Sequence, residues 1–245
     1  MSEIDTLERI VPNALNEGDV TGRATLALHL ERYHWAAAQL PVGLTLDLAC
    51  GVGYGSVILA ERHHEVKVIA ADLSRSALRR AMTEYGHPRV HLICGDGATW
   101  TRQAAFQAIV SLETLEHVPD PEAMLRDLVR SLAVTGMLVV SVPVTPSVDA
   151  NPHHMTDFTE ESIMALGTSL GLAPVARMRQ VQRFAPWSVL TRSEKRAQDL
   201  RRDLLGYYLR NPGAAWKRFT TTLRHGFVNH YLTVAWVHVT QEGSP

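Results

Sequence analysis

Short apolar runs alternate with segments of helical period along residues 44–142. The apolar runs predict five strands, at residues 44–49, 66–71, 90–94, 108–111 and 137–142. The intervening segments predict helices at residues 54–62, 74–85 and 121–132. Ser74 is expected to cap the second helix, Pro121 to lie in the first turn of the third, and Gly136 to end it. Because strands that alternate with helices pair in parallel, we predict an α/β protein with a Rossmann-like sheet and helices on both faces.

Further elements flank this core at both ends. Apolar residues spaced by three and four predict a helix over residues 22–40, within an N-terminal cap region of residues 1–42. Beyond the fifth strand, we predict a helix at residues 159–170 and long strands at 172–181 and 228–240, with the last strand antiparallel. The prediction is thus one domain over residues 1–245, built on a seven-stranded, mostly parallel sheet.

An insertion at residues 183–225 precedes the last strand and has its own composition. It holds ten Lys or Arg against three acids, interleaved with tryptophan, tyrosine and phenylalanine. We interpret it as two or three helices broken at Asn211-Pro212-Gly213. Two roles stay open for it, a lid over a ligand or a surface for homodimerisation.

Composition excludes several classes of protein. With 46% apolar and 20% charged residues among 245, the chain is globular and long enough to fold without a structural metal. Its formal net charge of -1 argues against the polycationic surface of non-specific nucleic-acid binders. The chain has two cysteines, no basic N-terminal start and no apolar run approaching about 18 residues, so we expect a cytoplasmic protein without a membrane span.

The most informative local feature is the segment LDLACGVGYGS. Asp47 ends the first strand, and Gly51, Gly53 and Gly55 let the backbone turn sharply and approach a ligand before a helix begins. A dinucleotide fingerprint would require glycine or alanine in place of Ser56, so the spacing disfavours an oxidoreductase. The turn therefore predicts a nucleotide-like ligand of another kind.

Two more acids follow the second and third strands. Asp72 lies twenty-one residues after Gly51, where a carboxylate can accept hydrogen bonds from both hydroxyls of a ribose. Asp96 follows the third strand. Because open parallel sheets bind ligands at the carboxyl ends of their strands, Asp47, Asp72 and Asp96 are predicted to line one crevice.

With these residues in this order, the chain resembles the class I S-adenosylmethionine-dependent methyltransferases from about residue 22 to residue 161. The resemblance implies that Gly51 and Gly53 pack against the methionine part of S-adenosyl-L-methionine, that Asp72 holds the ribose and that Asp96 reaches the adenine. Ala49 stands where many members of the family have glycine. The cofactor-binding residues expected here are Tyr33, Asp47, Gly51, Gly53, Asp72, Leu73, Asp96, Gly97 and Leu112.

The first helix carries His29, Arg32 and Tyr33, which the resemblance places over the cofactor. An ordinary amphipathic helix with Tyr33 in the core stays the alternative. The string HLERYHWA in this helix is similar to bacterial methyltransferases associated with sugar and glycan pathways.

Acidic and histidine residues gather after the fourth and fifth strands. Glu113, Glu116 and His117 are spaced three and four apart, so they can project in one direction, and His153 and His154 follow in the next loop. Carboxylates and imidazoles at one sheet edge predict a metal site. The alternatives are a solvated helix start for the acids, and loop histidines that bond to backbone carbonyls.

The pattern E-x-x-E-H with a distant histidine resembles the metal site of the small-RNA 2'-O-methyltransferases, and LEHVPDP is similar to the quinone-biosynthesis O-methyltransferases. In the RNA enzymes the distant histidine precedes an aromatic-Thr pair by four and five residues, as His154 precedes Phe158 and Thr159. The resemblance implies Mg²⁺, with Mn²⁺ as the alternative. The expected metal ligands are Glu113, Glu116, His117 and His154. The expected catalytic histidines are His117, His153 and His154, with His153 as the candidate base.

These features predict a metal-dependent O-methyltransferase, because coordination lowers the pKa of an alcohol that is otherwise a poor nucleophile. The expected acceptor is a hydroxyl of a sugar or saccharide, either a small molecule or an oligosaccharide. A quinone or catechol and an RNA 2'-hydroxyl are the alternatives; nucleic acid is disfavoured because the chain has no second RNA-binding module. A protein that binds S-adenosylmethionine without catalysis is the alternative of another class.

Overall fold

The computed structural model describes residues 10–15, 18–96, 104–148, 151, 153–184 and 204–239. Within these residues the chain forms a seven-stranded sheet in the order β3-β2-β1-β4-β5-β7-β6. The strands are β1 (Leu44–Leu48), β2 (Lys67–Asp72), β3 (Val90–Cys94), β4 (Phe106–Leu112), β5 (Leu132–Pro143), β6 (Leu172–Arg183) and β7 (Val228–His238). The α-helices are α1 (Val20–Gln39), α2 (Tyr54–Glu61), α3 (Arg75–Glu84), α4 (Pro121–Ser131), α5 (Glu160–Ser169), α6 (Leu204–Arg210) and α7 (Pro212–His225). Short 3-10 turns lie at Pro12–Ala14 and Leu115–His117.

The first five strands are parallel, and β7 runs antiparallel between β5 and β6. The chain moves outward from β1 to β2 and β3, and then returns to place β4 on the other side of β1. Such a reversal leaves a crevice at the carboxyl ends of β1 and β4, where open sheets bind ligands. The predicted Rossmann-like sheet with an antiparallel last strand is confirmed.

The central strands are apolar along their length because both faces of the sheet are covered. One face packs a core that includes Leu46, Ile109 and Leu138, and the other packs a core that includes Val68 and Val110. All five of these side chains are at most 1% exposed. The packed sheet is therefore a fixed platform, and the loops at its carboxyl edge carry the polar side chains.

Two of the predicted helix signals are confirmed and one is wrong. The Ser74 hydroxyl caps α3, and Pro121 lies in the first turn of α4. However, α4 ends at Ser131 and β5 begins at Leu132, so Gly136 lies inside the strand rather than at the helix end. A Cβ atom on Gly136 would lie 2.8 Å from the Leu132 side chain. Close packing within β5, rather than a helix end, requires this glycine.

The described part of the insertion from residue 204 onward is mainly helical. The helices α6 and α7 are separated at Asn211, where the sequence predicts a break. Residues 185–203 of the predicted insertion lie outside the described residues. Among the described helices, none is long and apolar enough to cross a membrane.

Ala49 follows β1 directly and adopts a left-handed backbone conformation with φ of 60°. A side chain costs about 1–2 kcal/mol in this conformation, whereas glycine adopts it freely. We expect Ala49→Gly to raise the free energy of unfolding by about 0.5–1 kcal/mol, because it removes this backbone strain. The gain is smaller than the strain itself, since glycine loses more chain entropy on folding than alanine does. The melting temperature should rise by about 1–4 °C.

Urea and thermal unfolding measure this difference. A matched control is Ala38→Gly on the exposed side of α1, which should destabilise the protein by about 1 kcal/mol. Equal destabilisation by both substitutions would contradict the strain assigned to Ala49.

Candidate active site

The turn at residues 49–53, together with Asp72, forms a glycine cradle at the carboxyl edge of β1 and β2. Gly51 and Gly53 both adopt positive φ, of 58° and 88°. A Cβ atom on Gly51 would meet no other atom within 4 Å, whereas one on Gly53 would lie 2.8 Å from the Cβ of Ala81. Gly51 therefore faces open space that a ligand can occupy, and Gly53 is required by the packing of α3 on the turn.

Asp72 ends β2, and its carboxylate bonds to two backbone amides. The Gly51 N–H donates to Oδ2 at 2.9 Å, and the Ser74 N–H donates to Oδ1 at 2.7 Å. Each carboxylate oxygen can accept a second hydrogen bond, so the residue can also hold the hydroxyls of a ribose. The neighbouring Leu73 is 72% exposed and provides an apolar surface beside this carboxylate.

The other residues expected at the cofactor lie in different environments. Asp96 follows β3 and is exposed at the same edge of the sheet. Gly97 lies outside the described residues. Leu112 ends β4 and is only 7% exposed, within the core on one face of the sheet. The accessible surface of the predicted cofactor site is thus formed at Gly51, Leu73 and Asp96.

Asp47 and Tyr33 lie inside the protein rather than on the cradle surface. Asp47 is fully buried, and it accepts hydrogen bonds from Ser56 Oγ at 2.6 Å and from the Tyr33 hydroxyl at 3.3 Å. The Tyr33 ring occupies the space above Gly55, where a Cβ atom would lie 2.1 Å from it. Tyr33 is therefore a core residue, as the alternative for α1 proposes, and both side chains support the turn from within.

Glu116, His117 and His154 form a compact group after β4 and β5, the Glu-His-His cluster. One ligand atom from each residue lies within 4.8 Å of the other two. Glu116 is 1% exposed, and the two imidazole rings meet edge to face with centroids 4.7 Å apart. One carboxylate and two imidazoles at this spacing can hold a divalent metal ion.

Hydrogen bonds between two loops assemble this cluster. The carbonyl oxygen of Glu116 accepts a hydrogen bond from the Met155 N–H at 2.7 Å. The Nδ1 atom of His117 lies 3.1 Å from the carbonyl oxygen of His153. His153 thus contributes its backbone here, and its ring is not part of the cluster. For His117, the bond at Nδ1 leaves Nε2 as the nitrogen that can bind a metal or a proton.

His154 is held in the same way by a neighbouring hydroxyl. Ser147 Oγ lies 2.6 Å from Nδ1 of His154. Burial, and to a lesser extent the nearby His117, lower the pKa of His154 to about 3. His154 is therefore neutral at pH 7, which is the form of imidazole that binds metals.

Glu113 does not join the cluster, although the sequence predicts it as a fourth metal ligand. Its Oε1 accepts a hydrogen bond from Ser141 Oγ at 2.7 Å and lies 3.5 Å from Nη1 of Arg32. Arg32 is 1% exposed, and a buried guanidinium is costly without a nearby carboxylate. Glu113 also has a positive φ of 50°, which surrounding contacts must stabilise. The buried charge on α1 thus holds Glu113 apart from the Glu-His-His cluster.

Arg32 belongs to a buried polar network that sequence reasoning missed. Its Nε donates to Gln180 Oε1 at 2.6 Å, and its guanidinium lies 4.3 Å from the ring centre of Tyr231. Burial, and to a lesser extent the nearby Glu113, raise the pKa of Tyr231 to about 12. A sequence signal for the network exists in β6, where Gln180 and Gln182 alternate and so share one face of the strand.

The buried carboxyl of Asp47 makes stability depend on pH. Burial raises its pKa and hydrogen bonds from Ser56 and Tyr33 offset part of that rise, so the pKa is about 7. Because the folded pKa lies above the unfolded value of about 3.9, the neutral carboxyl contributes stability that is present below about pH 4 and lost as the pH rises to about 7. Between about pH 4 and about pH 7, the free energy of unfolding of Asp47→Asn should therefore rise by up to about 4 kcal/mol relative to that of the wild type. Above about pH 7 the difference should not grow further.

Urea unfolding of both proteins from about pH 4 to about pH 8 measures the change. A difference in unfolding free energy that stays constant over the whole range would show that Asp47 does not titrate in this way.

Comparisons with known proteins agree with the sheet topology and the glycine cradle. Residues 45–136 match the methyltransferase domain family. The chain is 30% identical over 201 residues to the trans-aconitate 2-methyltransferase of Variovorax paradoxus, spanning 80% of this chain and 66% of that protein. It is 34% identical over 100 residues to the trans-aconitate 2-methyltransferase of Methylobacterium radiotolerans, spanning 41% of this chain and 38% of that protein.

Solved structures share the fold. The N-methyltransferase NodS from Bradyrhizobium japonicum, in complex with S-adenosyl-L-homocysteine, matches with a TM-score of 0.60 at 15% identity, over 95% of this chain and 96% of that one. At this identity the likeness shows the fold alone. The domain match, the relatives and the seven-stranded sheet with its glycine cradle lead to one assignment. The chain belongs to the class I S-adenosylmethionine-dependent methyltransferases.

Proposed function

We propose that this protein transfers a methyl group from S-adenosyl-L-methionine to a hydroxyl of a saccharide acceptor, with a divalent metal ion bound beside the donor. The observation that carries the proposal is the position of two sites at one sheet edge. The glycine cradle lies at the carboxyl ends of β1 and β2, and the Glu-His-His cluster follows β4 and β5, on the other side of β1. A donor and an activated acceptor need such proximity.

The residues of the cradle suit each part of the donor. Gly51 faces open space for the methionine part, and the Asp72 carboxylate can accept hydrogen bonds from the ribose hydroxyls. The exposed Leu73 suits one face of the adenine, and Asp96 suits its amino group. When bound, S-adenosylmethionine would supply a methyl group on a sulfonium sulfur. The neutral thioether that remains after transfer is a good leaving group. The protein therefore mainly has to align the acceptor oxygen with that methyl carbon.

The Glu-His-His cluster suits a divalent metal ion by its donor atoms. With Glu113 paired to Arg32 and Ser141, the ligand set is one carboxylate and two imidazoles. Such a set is typical of first-row transition ions, so we propose Mn²⁺ or Fe²⁺ rather than the Mg²⁺ implied by the sequence resemblance. A bound ion of this kind lowers the pKa of a hydroxyl that it contacts.

His153 is the residue that we propose as the base. Its ring is partly exposed and lies outside the cluster, while its carbonyl oxygen is bonded to His117. Imidazole is the side chain whose ordinary pKa suits proton transfer near neutral pH. In this assignment His117 and His154 hold the metal, and His153 accepts the proton of the acceptor hydroxyl.

A hydroxyl acceptor accounts for the cluster better than a carboxylate does. The two relatives are named for trans-aconitate, a carboxylic acid. A carboxylate is already ionised at neutral pH and needs neither a base nor a metal, whereas an alcohol needs both. We therefore favour a hydroxyl acceptor. Among hydroxyls we propose a saccharide, because the string HLERYHWA in α1 is similar to methyltransferases of sugar and glycan pathways; catechol or quinone phenols and RNA 2'-hydroxyls are the other acceptors to be compared.

Glu116→Gln should abolish the proposed metal function without affecting the donor. Methyl transfer to a hydroxyl acceptor should fall by about 100-fold or more, since metal assistance contributes several kcal/mol. The affinity for S-adenosylhomocysteine should stay unchanged, because Glu116 is not part of the cradle. Radiolabelled methyl transfer to saccharides, catechols, short RNA and trans-aconitate, with Mn²⁺ or with a chelator, measures activity, and calorimetry measures affinity.

A matched control is Glu65→Gln. Glu65 lies in a separate and more exposed group with His63 and His64, and the substitution should leave activity unchanged. The metal role would be contradicted if Glu116→Gln lost activity and cofactor affinity equally. It would also be contradicted if the wild type methylated only trans-aconitate and did so in the presence of the chelator. Binding of S-adenosylhomocysteine without transfer to any acceptor would instead favour a non-catalytic protein.

Asp72→Asn tests the donor site separately. Hydrogen bonds to a charged group contribute about 1.5–3 kcal/mol, so the affinity for S-adenosylhomocysteine should fall by about 10–100-fold. Asp127→Asn is the matched control, because Asp127 lies on α4, pairs with Arg130 and is not part of the cradle. Calorimetry with S-adenosylhomocysteine and with NAD measures both. Tighter binding of NAD would contradict the donor assignment.

A further inference from the structure

The helix α7 presents an apolar face to solvent. Trp216, Phe219 and Leu223 lie at intervals of three and four residues, so they share one side of the helix. These side chains are 67%, 53% and 70% exposed, and the rings of Trp216 and Phe219 pack with centroids 5.8 Å apart. Leu209 on α6 adds a side chain that is 74% exposed. Large apolar side chains grouped in this way usually mark a binding surface.

The residues of α6, α7 and β7 carry formal charge of one sign. Residues 204–239 contain no Asp or Glu, although the whole chain has a formal net charge of -1. On α7, Lys217 follows Trp216 and Arg224 follows Leu223, so each cation lies about 100° around the helix from an apolar residue. An apolar strip flanked by cations suits a partner that is both anionic and apolar.

An ion pair connects α7 to the loop of the Glu-His-His cluster. Lys217 Nζ donates to Asp157 Oδ2 at 2.7 Å. Asp157 Oδ1 in turn accepts hydrogen bonds from the N–H groups of Ser147 and Val148, at 2.6 and 2.9 Å. Ser147 is the residue whose hydroxyl contacts His154. The apolar face of α7 is therefore carried by a helix that lies at the edge of the candidate active site.

We infer that α7 is an interfacial helix that docks this edge of the sheet on an anionic lipid surface. Trp, Phe and Leu on one side of a helix, with Lys and Arg beside them, bind at the headgroup boundary of anionic membranes. The helix has 14 residues, which is too short to cross a bilayer, so it lies in the plane of the surface. Docking through α7 brings the loop of the Glu-His-His cluster close to that surface, because Lys217 pairs with Asp157 in that loop.

Two other occupants suit this face less well. A second copy of the chain that docked α7 on α7 would bring Arg224 of both helices together, with no acid from residues 204–239 to pair with it. Single-stranded nucleic acid stacks its bases on available aromatic faces, whereas Trp216 and Phe219 pack against each other. Each of these occupants gives a result distinct from lipid binding in the experiment below.

Co-sedimentation of the full chain with phosphatidylglycerol or phosphatidylcholine vesicles tests the inference. We expect the protein to bind the anionic vesicles and to bind the neutral vesicles little. Binding to the anionic vesicles should be at least about tenfold weaker in high salt than in low salt. The double substitution Trp216→Ser/Phe219→Ser should weaken binding to anionic vesicles by at least about tenfold. Met82→Ser is the matched control, since it removes a side chain of α3 that is 65% exposed, and it should leave lipid binding unchanged.

Circular dichroism and affinity for S-adenosylhomocysteine check that the variants are folded. The readout does not use methyl transfer, so its failure is distinguishable from failure of the proposed function. Absence of wild-type binding to anionic vesicles, or equal binding by the wild type and the double variant, would overturn the inference. A dimer or an RNA complex that the double substitution disrupts, without any lipid binding, would also overturn it and identify the other occupant.

Discussion

The buried carboxyl of Asp47 joins the elements on which the glycine cradle is built. It lies in β1 and accepts hydrogen bonds from Tyr33 on α1 and from the first turn of α2. The Tyr33 ring in turn rests on Gly55, so α1 can approach only a backbone that has no side chain there. Because these interior contacts fix the turn, the Gly51 N–H can bond to Asp72 at the neighbouring strand end. The cradle therefore depends on packing behind it as much as on its own glycines.

A second buried charge shapes the other side of the crevice. Arg32 pairs with Glu113 beside Ser141, and this pairing reduces the candidate metal ligands to one carboxylate and two imidazoles. Ala49 and Glu113 follow the adjacent parallel strands β1 and β4, and both have left-handed backbones despite carrying side chains. Strain of this kind persists only where the surroundings hold it, and it is common at functional sites. The two strained residues flank the point where the strand order reverses.

The strands were predictable because parallel strands covered on both faces are apolar along their length, and their order brings the strand ends to one edge. The direction in which an individual side chain points was not predictable, because it depends on partners far away in the sequence. No residue close to Glu113 in the sequence indicates that its carboxylate pairs with Arg32 of the first helix. Asp47 is likewise indistinguishable from a surface acid until its burial beneath Tyr33 is known. Ser141 offered a partial signal, as a polar residue inside the apolar run of β5.

The two sides of the crevice differ in how far the matched domain family covers them. The domain match ends at residue 136, so it contains the glycine cradle, Glu116 and His117. It stops before the loop that supplies His154, which Asp157 connects to Lys217 on α7. The matched segment therefore covers the cradle and two residues of the Glu-His-His cluster, whereas the loop that carries His154 and Asp157 lies outside it. For that reason the acceptor has to be argued from the Glu-His-His cluster, the loop around Asp157 and α7, and not from the substrates that give the relatives their names.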